Sequence, residues 1–74
     1  MKTDIIKIDT EFIRLQDILK LSGLASTGGM AKVLIQNGEV SVNGEICEMR
    51  GKKLRNGDSV RFGDNTLIVE AEKA

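Results

Sequence analysis

The sequence predicts a small α+β domain: two N-terminal helices packed on a small, mostly antiparallel sheet. Three observations carry this expectation. Apolar residues Phe12, Leu15, Ile18 and Leu19 recur close to the helical period. A second helical stripe, Ala31, Leu34 and Ile35, runs up to Gly38. Beyond it apolar and polar residues alternate until Asn43-Gly44, a pair suited to a two-residue hairpin because both turn positions take positive φ.

Each element has its own signal. The run "DIIKI" (Asp4–Ile8) is rich in β-formers and reads as an entry strand. Thr10 is placed to cap a first helix over about residues 11–22, with Glu11 beside the positive helix end. Gly23 stops that helix as a left-handed cap. Ser26 or Thr27 caps a second helix over about residues 28–37. "EVSV" (Glu39–Val42) alternates as a strand, and "EICEM" returns from the Asn43-Gly44 turn. A further turn falls at Asn56-Gly57, and "SVRF" and "TLIVEA" form a last hairpin across "GDN". The order is β-α-α-β-β-β-β. Leu15, Leu19, Ala31, Leu34, Val40, Val42 and Val60 are expected in the core, and Phe12 and Phe62 fit the same periodicity.

The chain has 74 residues, 41% of them hydrophobic and 30% charged, which suits one compact domain spanning residues 1–74. It has no proline, repeat or low-complexity tract that would mark a linker. A single cysteine, Cys47, permits no internal disulfide, and no Cys/His cluster offers a metal site. No apolar run approaches the ~20 residues that span a bilayer. With no signal peptide recognised, the cytoplasm is the expected location.

Net charge is zero, but the charge is unevenly placed. Residues 1–49 sum to −2 and residues 62–74 to −2. Between them, "RGKKLRNGDSVR" sets Arg50, Lys52, Lys53, Arg55 and Arg61 against Asp58, giving +4. A local field of this sign can recruit a polyanion even from a neutral chain. A solvated, solubilising loop would have the same composition.

Catalysis is disfavoured. The chain has no histidine to act as general acid or base, so Ser22, Ser26, Ser41 and Ser59 have no imidazole to activate them. Asp58 and Asp64 stand in turn contexts, where aspartate serves its own backbone. Cys47 lies in a strand context and reads as a small buried apolar residue. No cofactor motif is present.

Gly28-Gly29 invites a different reading. First-turn N–H groups lack intrahelical partners and sit at the positive helix pole. Without side chains, those N–H groups are open to a phosphate oxygen, and Lys32, one turn on, can close over the same anion. The alternative is structural: one glycine allows close helix packing and the other relieves a strained turn. The nucleotide-binding pattern G-x-x-x-x-G-K-[ST] is absent. Arg14 falls off the 12-15-19 stripe and is expected to face solvent or ligand. With both phenylalanines assigned to the core, base stacking is not expected, and recognition would rest on phosphate and shape.

The order of these motifs resembles the RNA-binding module named after ribosomal small-subunit protein S-four. The matching residues are Arg14-Leu15, Leu19, Gly23, Thr27, Leu34-Ile35, Gly38, Val40, Val42-Asn43-Gly44 and Gly57-Asp58, a span of about 14–60. Many family members carry arginine after the small polar residue that opens the second helix. Here that residue is Gly28, followed by Gly29-Met30-Ala31-Lys32, which resembles short stand-alone bacterial members of the YbcJ and YaaA types. The resemblance implies the alpha-L RNA-binding motif and a non-catalytic role on structured RNA, ribosomal or transfer. It shifts the expected contact at position 28 from a side-chain charge to the backbone and Lys32. Together these readings nominate Arg14, Thr27, Gly28, Gly29, Lys32, Arg50, Lys52, Lys53 and Arg55 as one electropositive RNA-binding face, with Glu70 and Glu72 elsewhere.

Two other functions compete with RNA binding. A protein-interaction module docking on a ribosomal or RNA-processing partner would bind with little salt dependence. A DNA-reading helix-turn-helix is disfavoured because Gly28–Gln36 offers few side chains for base edges.

Overall fold

The computed structural model describes residues 2–72. The chain enters through β1 (Lys2–Ile8) and a two-residue strand, β2 (Ile13–Arg14). Helices α1 (Leu15–Leu21) and α2 (Gly28–Gln36) follow. Five strands complete the chain: β3 (Val40–Val42), β4 (Glu45–Ile46), β5 (Lys53–Leu54), β6 (Ser59–Phe62) and β7 (Asn65–Ala71).

The main sheet runs β1-β7-β6-β3-β4 and is mixed. Strand β1 lies parallel to β7, from Lys2 opposite Asn65 to Ile8 opposite Ala71. The remaining pairs in that sheet are antiparallel. Pairing of the first strand with the last is a long-range event that periodicity does not reveal. Two helices on a sheet are as expected, and the entry strand expected at Asp4–Ile8 is present and longer, so the helices follow β1 rather than standing at the N-terminus. A second sheet pairs β2 with β5.

The first helix is shorter than its apolar spacing suggests. Its N-cap is Arg14, in extended backbone and without a side-chain cap, rather than Thr10. The Thr10 hydroxyl donates instead to the Phe12 carbonyl at 2.8 Å. The physical reason is competition from β5. Pairing with it holds Ile13 and Arg14 extended. The first helical N–H groups, Leu15 and Gln16, donate to the carbonyls of Lys52 at 2.9 Å and Arg50 at 3.1 Å. A distant segment thus does the work of a cap. At the other end Gly23 takes φ +86 as the left-handed residue expected there.

Helix α2 follows its local code. The Thr27 hydroxyl oxygen accepts from the Met30 N–H at 3.1 Å, which identifies the cap between the two candidates. Ala31 and Ile35 are fully buried, and Leu34 packs half-buried against the core. Asn43 (φ +51) and Gly44 (φ +90) form the expected β3–β4 turn. The β4 ladder is short, and Cys47 lies beyond it, half-buried against the core. The last hairpin turns on Gly63-Asp64, with Asn65 already paired to Phe62.

Leu15, Ile18 and Leu19 of α1 meet Ala31 and Ile35 of α2 and the inward faces of Val40, Val60, Leu67 and Val69. Each of these leucine, isoleucine and valine side chains contributes about 1.5–3 kcal/mol on burial. Leu54 of β5 is fully buried in the same cluster, so the small sheet is anchored to the core. Phe12 departs from expectation: it is half-exposed and lies outside the core cluster.

Candidate nucleic-acid interface

The small sheet assembles the basic residues. Register places Arg14 of β2 directly opposite Lys53 of β5. Backbone bonds from Leu15 and Gln16 hold Lys52 and Arg50 at the start of α1. Arg55 follows β5 directly. Arg14, Arg50, Lys52, Lys53 and Arg55 are all exposed, and none has a carboxylate within 4.0 Å among the described residues. The ion pair found among the described residues, Lys2 with Asp4 at 4.0 Å, lies on β1. Arg61 leaves the group, since its Nε donates to the Gly63 carbonyl at 3.3 Å.

The acidic residue inside this basic segment is already engaged. Asp58 Oδ2 accepts from the Arg55 backbone N–H at 2.7 Å, and its Oδ1 accepts from Asn43 Nδ2 at 3.2 Å. Its carboxylate therefore organises the loop rather than neutralising the lysines. Glu70 pairs in register with Lys7 on the β1–β7 side of the main sheet.

Phe12 is the residue that sequence reasoning misplaced. Lys53 Nζ stands 4.8 Å from its ring centroid and the Arg55 guanidinium carbon 5.8 Å. These are cation–π distances. The helical spacing of Phe12 with Leu15 concealed this, because residue 12 precedes the helix.

The remaining nominated residues form a second group. Thr27, Gly28, Gly29 and Lys32 lie at the start of α2, near the far end of α1. The seven residues of α1 separate the two groups by about 10 Å along its axis. The Thr27 oxygen is committed to its cap, leaving its proton free to donate. The N–H groups of Gly28 and Gly29 have no acceptor among the described residues. A Cβ at Gly28 would come only 4.0 Å from Lys20 Cδ, and one at Gly29 3.9 Å from Thr27 Oγ1. Both are ordinary contacts, and neither glycine has positive φ. Close packing and strained backbone, the structural reasons for glycine, are therefore absent at both positions. Lys20 adds an exposed cation beside this helix start that the sequence reading overlooked.

Comparison with known proteins gives concordant results. The model of the S4 domain matches residues 6–70. RlbA of Bacillus subtilis (strain 168), named for a role in ribosome maturation, is 49% identical over 57 residues, 77% of this chain and 80% of its own. YbcJ of Escherichia coli (strain K12) is 34% identical over 59 residues, 80% of this chain and 84% of its own. The solution structure of YbcJ, described as revealing an alpha-L motif involved in RNA binding, superposes with a TM-score of 0.68 at 31% identity. That superposition covers 96% of this chain and 89% of YbcJ. With the family model spanning residues 6–70 and two relatives at 49% and 34% identity over more than two thirds of the chain, the chain belongs to the S4-domain family.

Proposed function

We propose that this domain is a non-catalytic RNA-binding module that grips structured RNA, ribosomal or transfer, through its phosphate backbone and shape. One observation carries the reading. Arg14 and Lys53 are directly opposed across two strands, beside three more cations and without a carboxylate partner. Like charges opposed across strands are destabilising, and cations beside a helix N-terminus are too. A polyanion relieves both costs on binding. The S4-domain family, the RNA-binding motif described for YbcJ and the ribosome-maturation name of RlbA support the same partner class. Such a partner belongs to the cytoplasm.

Titration of a fluorescein-labelled RNA stem–loop at about 50 to 200 mM salt tests the reading. Affinity should fall steeply and log-linearly with salt. Salt-insensitive affinity would overturn it in favour of protein docking. A specific feature gives that second reading its content: Ile46 and Met49, each 66% exposed, flank a shallow groove of about 380 Å³ beside Lys52.

A further inference from the structure

We propose that Phe12 is a positioning residue of the RNA-binding face. Its ring holds the Lys53 ammonium and the Arg55 guanidinium in place for phosphate before RNA arrives. The inference rests on the function proposed above and adds to it a residue that neither charge nor motif identifies.

Three observations support it. Phe12 and Phe62 are both partly exposed, but only Phe62 packs against the core cluster. Both cations approach the ring within cation–π range, at 4.8 and 5.8 Å. Neither has a competing carboxylate among the described residues. The backbone explains the convergence. Ile13 pairs with Leu54, so Phe12 precedes the paired residue on one strand and Arg55 follows it on the other. Buried Leu54 fixes this register.

The consequence concerns entropy. Long cationic side chains lose much rotamer freedom when they clamp a phosphate. An aromatic surface that gathers two of them in the free protein removes part of that loss. A ring also leaves the positive charge intact, whereas a carboxylate partner would cancel it. An aromatic anchor therefore keeps the cations both ordered and available to an anion.

The test separates quadrupole from bulk. Phe12→Leu preserves apolar fill but removes the π face, and Phe12→Tyr restores it. Fluorinated phenylalanines at position 12 keep the shape while weakening the ring quadrupole stepwise. The readouts are melting temperature and affinity for the labelled RNA stem–loop. Expected are a three- to tenfold loss of affinity for Phe12→Leu, recovery in Phe12→Tyr, and a graded loss across the fluorinated series at unchanged melting temperature. Unchanged affinity across that series would overturn the positioning role. So would a loss that merely tracks melting temperature. The Lys53→Ala/Arg55→Ala protein distinguishes this failure from failure of RNA binding itself. If that protein binds weakly while the fluorinated series binds normally, the cations act without the ring. If it binds as the wild type does, Lys53 and Arg55 do not hold phosphate, and the role of Phe12 falls with them.

Discussion

Asn43 Nδ2 donates to Asp58 Oδ1 at 3.2 Å, joining the β3–β4 turn to the loop that carries the basic residues. The same amide accepts from the Ser59 N–H through its Oδ1 at 2.9 Å. The other Asp58 oxygen holds the Arg55 N–H at 2.7 Å. Val-Asn-Gly and Gly-Asp, separated in sequence, are therefore two halves of one clip. The clip sets where Arg55 leaves the small sheet, so it connects hairpin chemistry to the shape of the cationic face.

Breaking the clip should cost both stability and binding. Asn43→Ala loses side-chain bonds and places alanine at φ +51, a left-handed conformation it disfavours. A destabilisation of about 1–3 kcal/mol is expected. Asp58→Ala should cost about 1 kcal/mol. Urea unfolding of both single variants and the double variant measures the coupling. Additive losses would show that the two side chains act independently.

Arg14→Glu should separate stability from function. Opposite Lys53 it forms a cross-strand ion pair, worth about 0.2–1 kcal/mol, and places an anion at the start of α1. Melting temperature should hold or rise while RNA affinity falls. Parallel loss of both would mean that Arg14 serves the fold instead.

Replacing Lys52, Lys53 and Arg55 together with alanine should leave the fold intact. Two exposed cation–π contacts of about 0.5–1 kcal/mol each are lost, offset by relief of repulsion. The plot of log affinity against log salt should become shallower by up to about one unit per phosphate contact removed. An unchanged slope would place the phosphate contacts elsewhere.

Local chemistry was legible in the sequence, and long-range pairing was not. Thr27 capping α2, Gly23 closing α1 and the Asn43-Gly44 turn each depend on residues within one turn of each other. The start of α1 depends on Arg50 and Lys52, some 35 residues away in sequence, through backbone carbonyls without a sequence signature. For that reason local sequence points to Thr10 as a cap and to Phe12 as core, where the structure has neither. Strands β2 and β5, two residues each, are too short for any period to register. The nominated cations were readable from charge clustering, whereas their gathering around Phe12 followed only from the pairing of Ile13 with Leu54.

The two glycines give the sharpest remaining prediction. Gly28 has ordinary φ and room for a Cβ, with Lys20 Cδ at 4.0 Å as its nearest neighbour. Gly28→Ala should therefore keep the fold and raise stability by up to about 1 kcal/mol through helix propensity. If phosphate approaches the free N–H groups of Gly28 and Gly29, that methyl group obstructs it, and RNA affinity should fall while melting temperature holds or rises. Gly28→Arg restores the residue common elsewhere in the family. It should recover affinity through a charge-assisted contact, since a guanidinium can reach phosphate from outside the blocked cradle. Melting temperature and RNA affinity measured on both variants decide the matter. Unchanged affinity in a stable Gly28→Ala protein would remove the start of α2 from the proposed binding surface, which would then rest on the Arg14–Arg55 cluster.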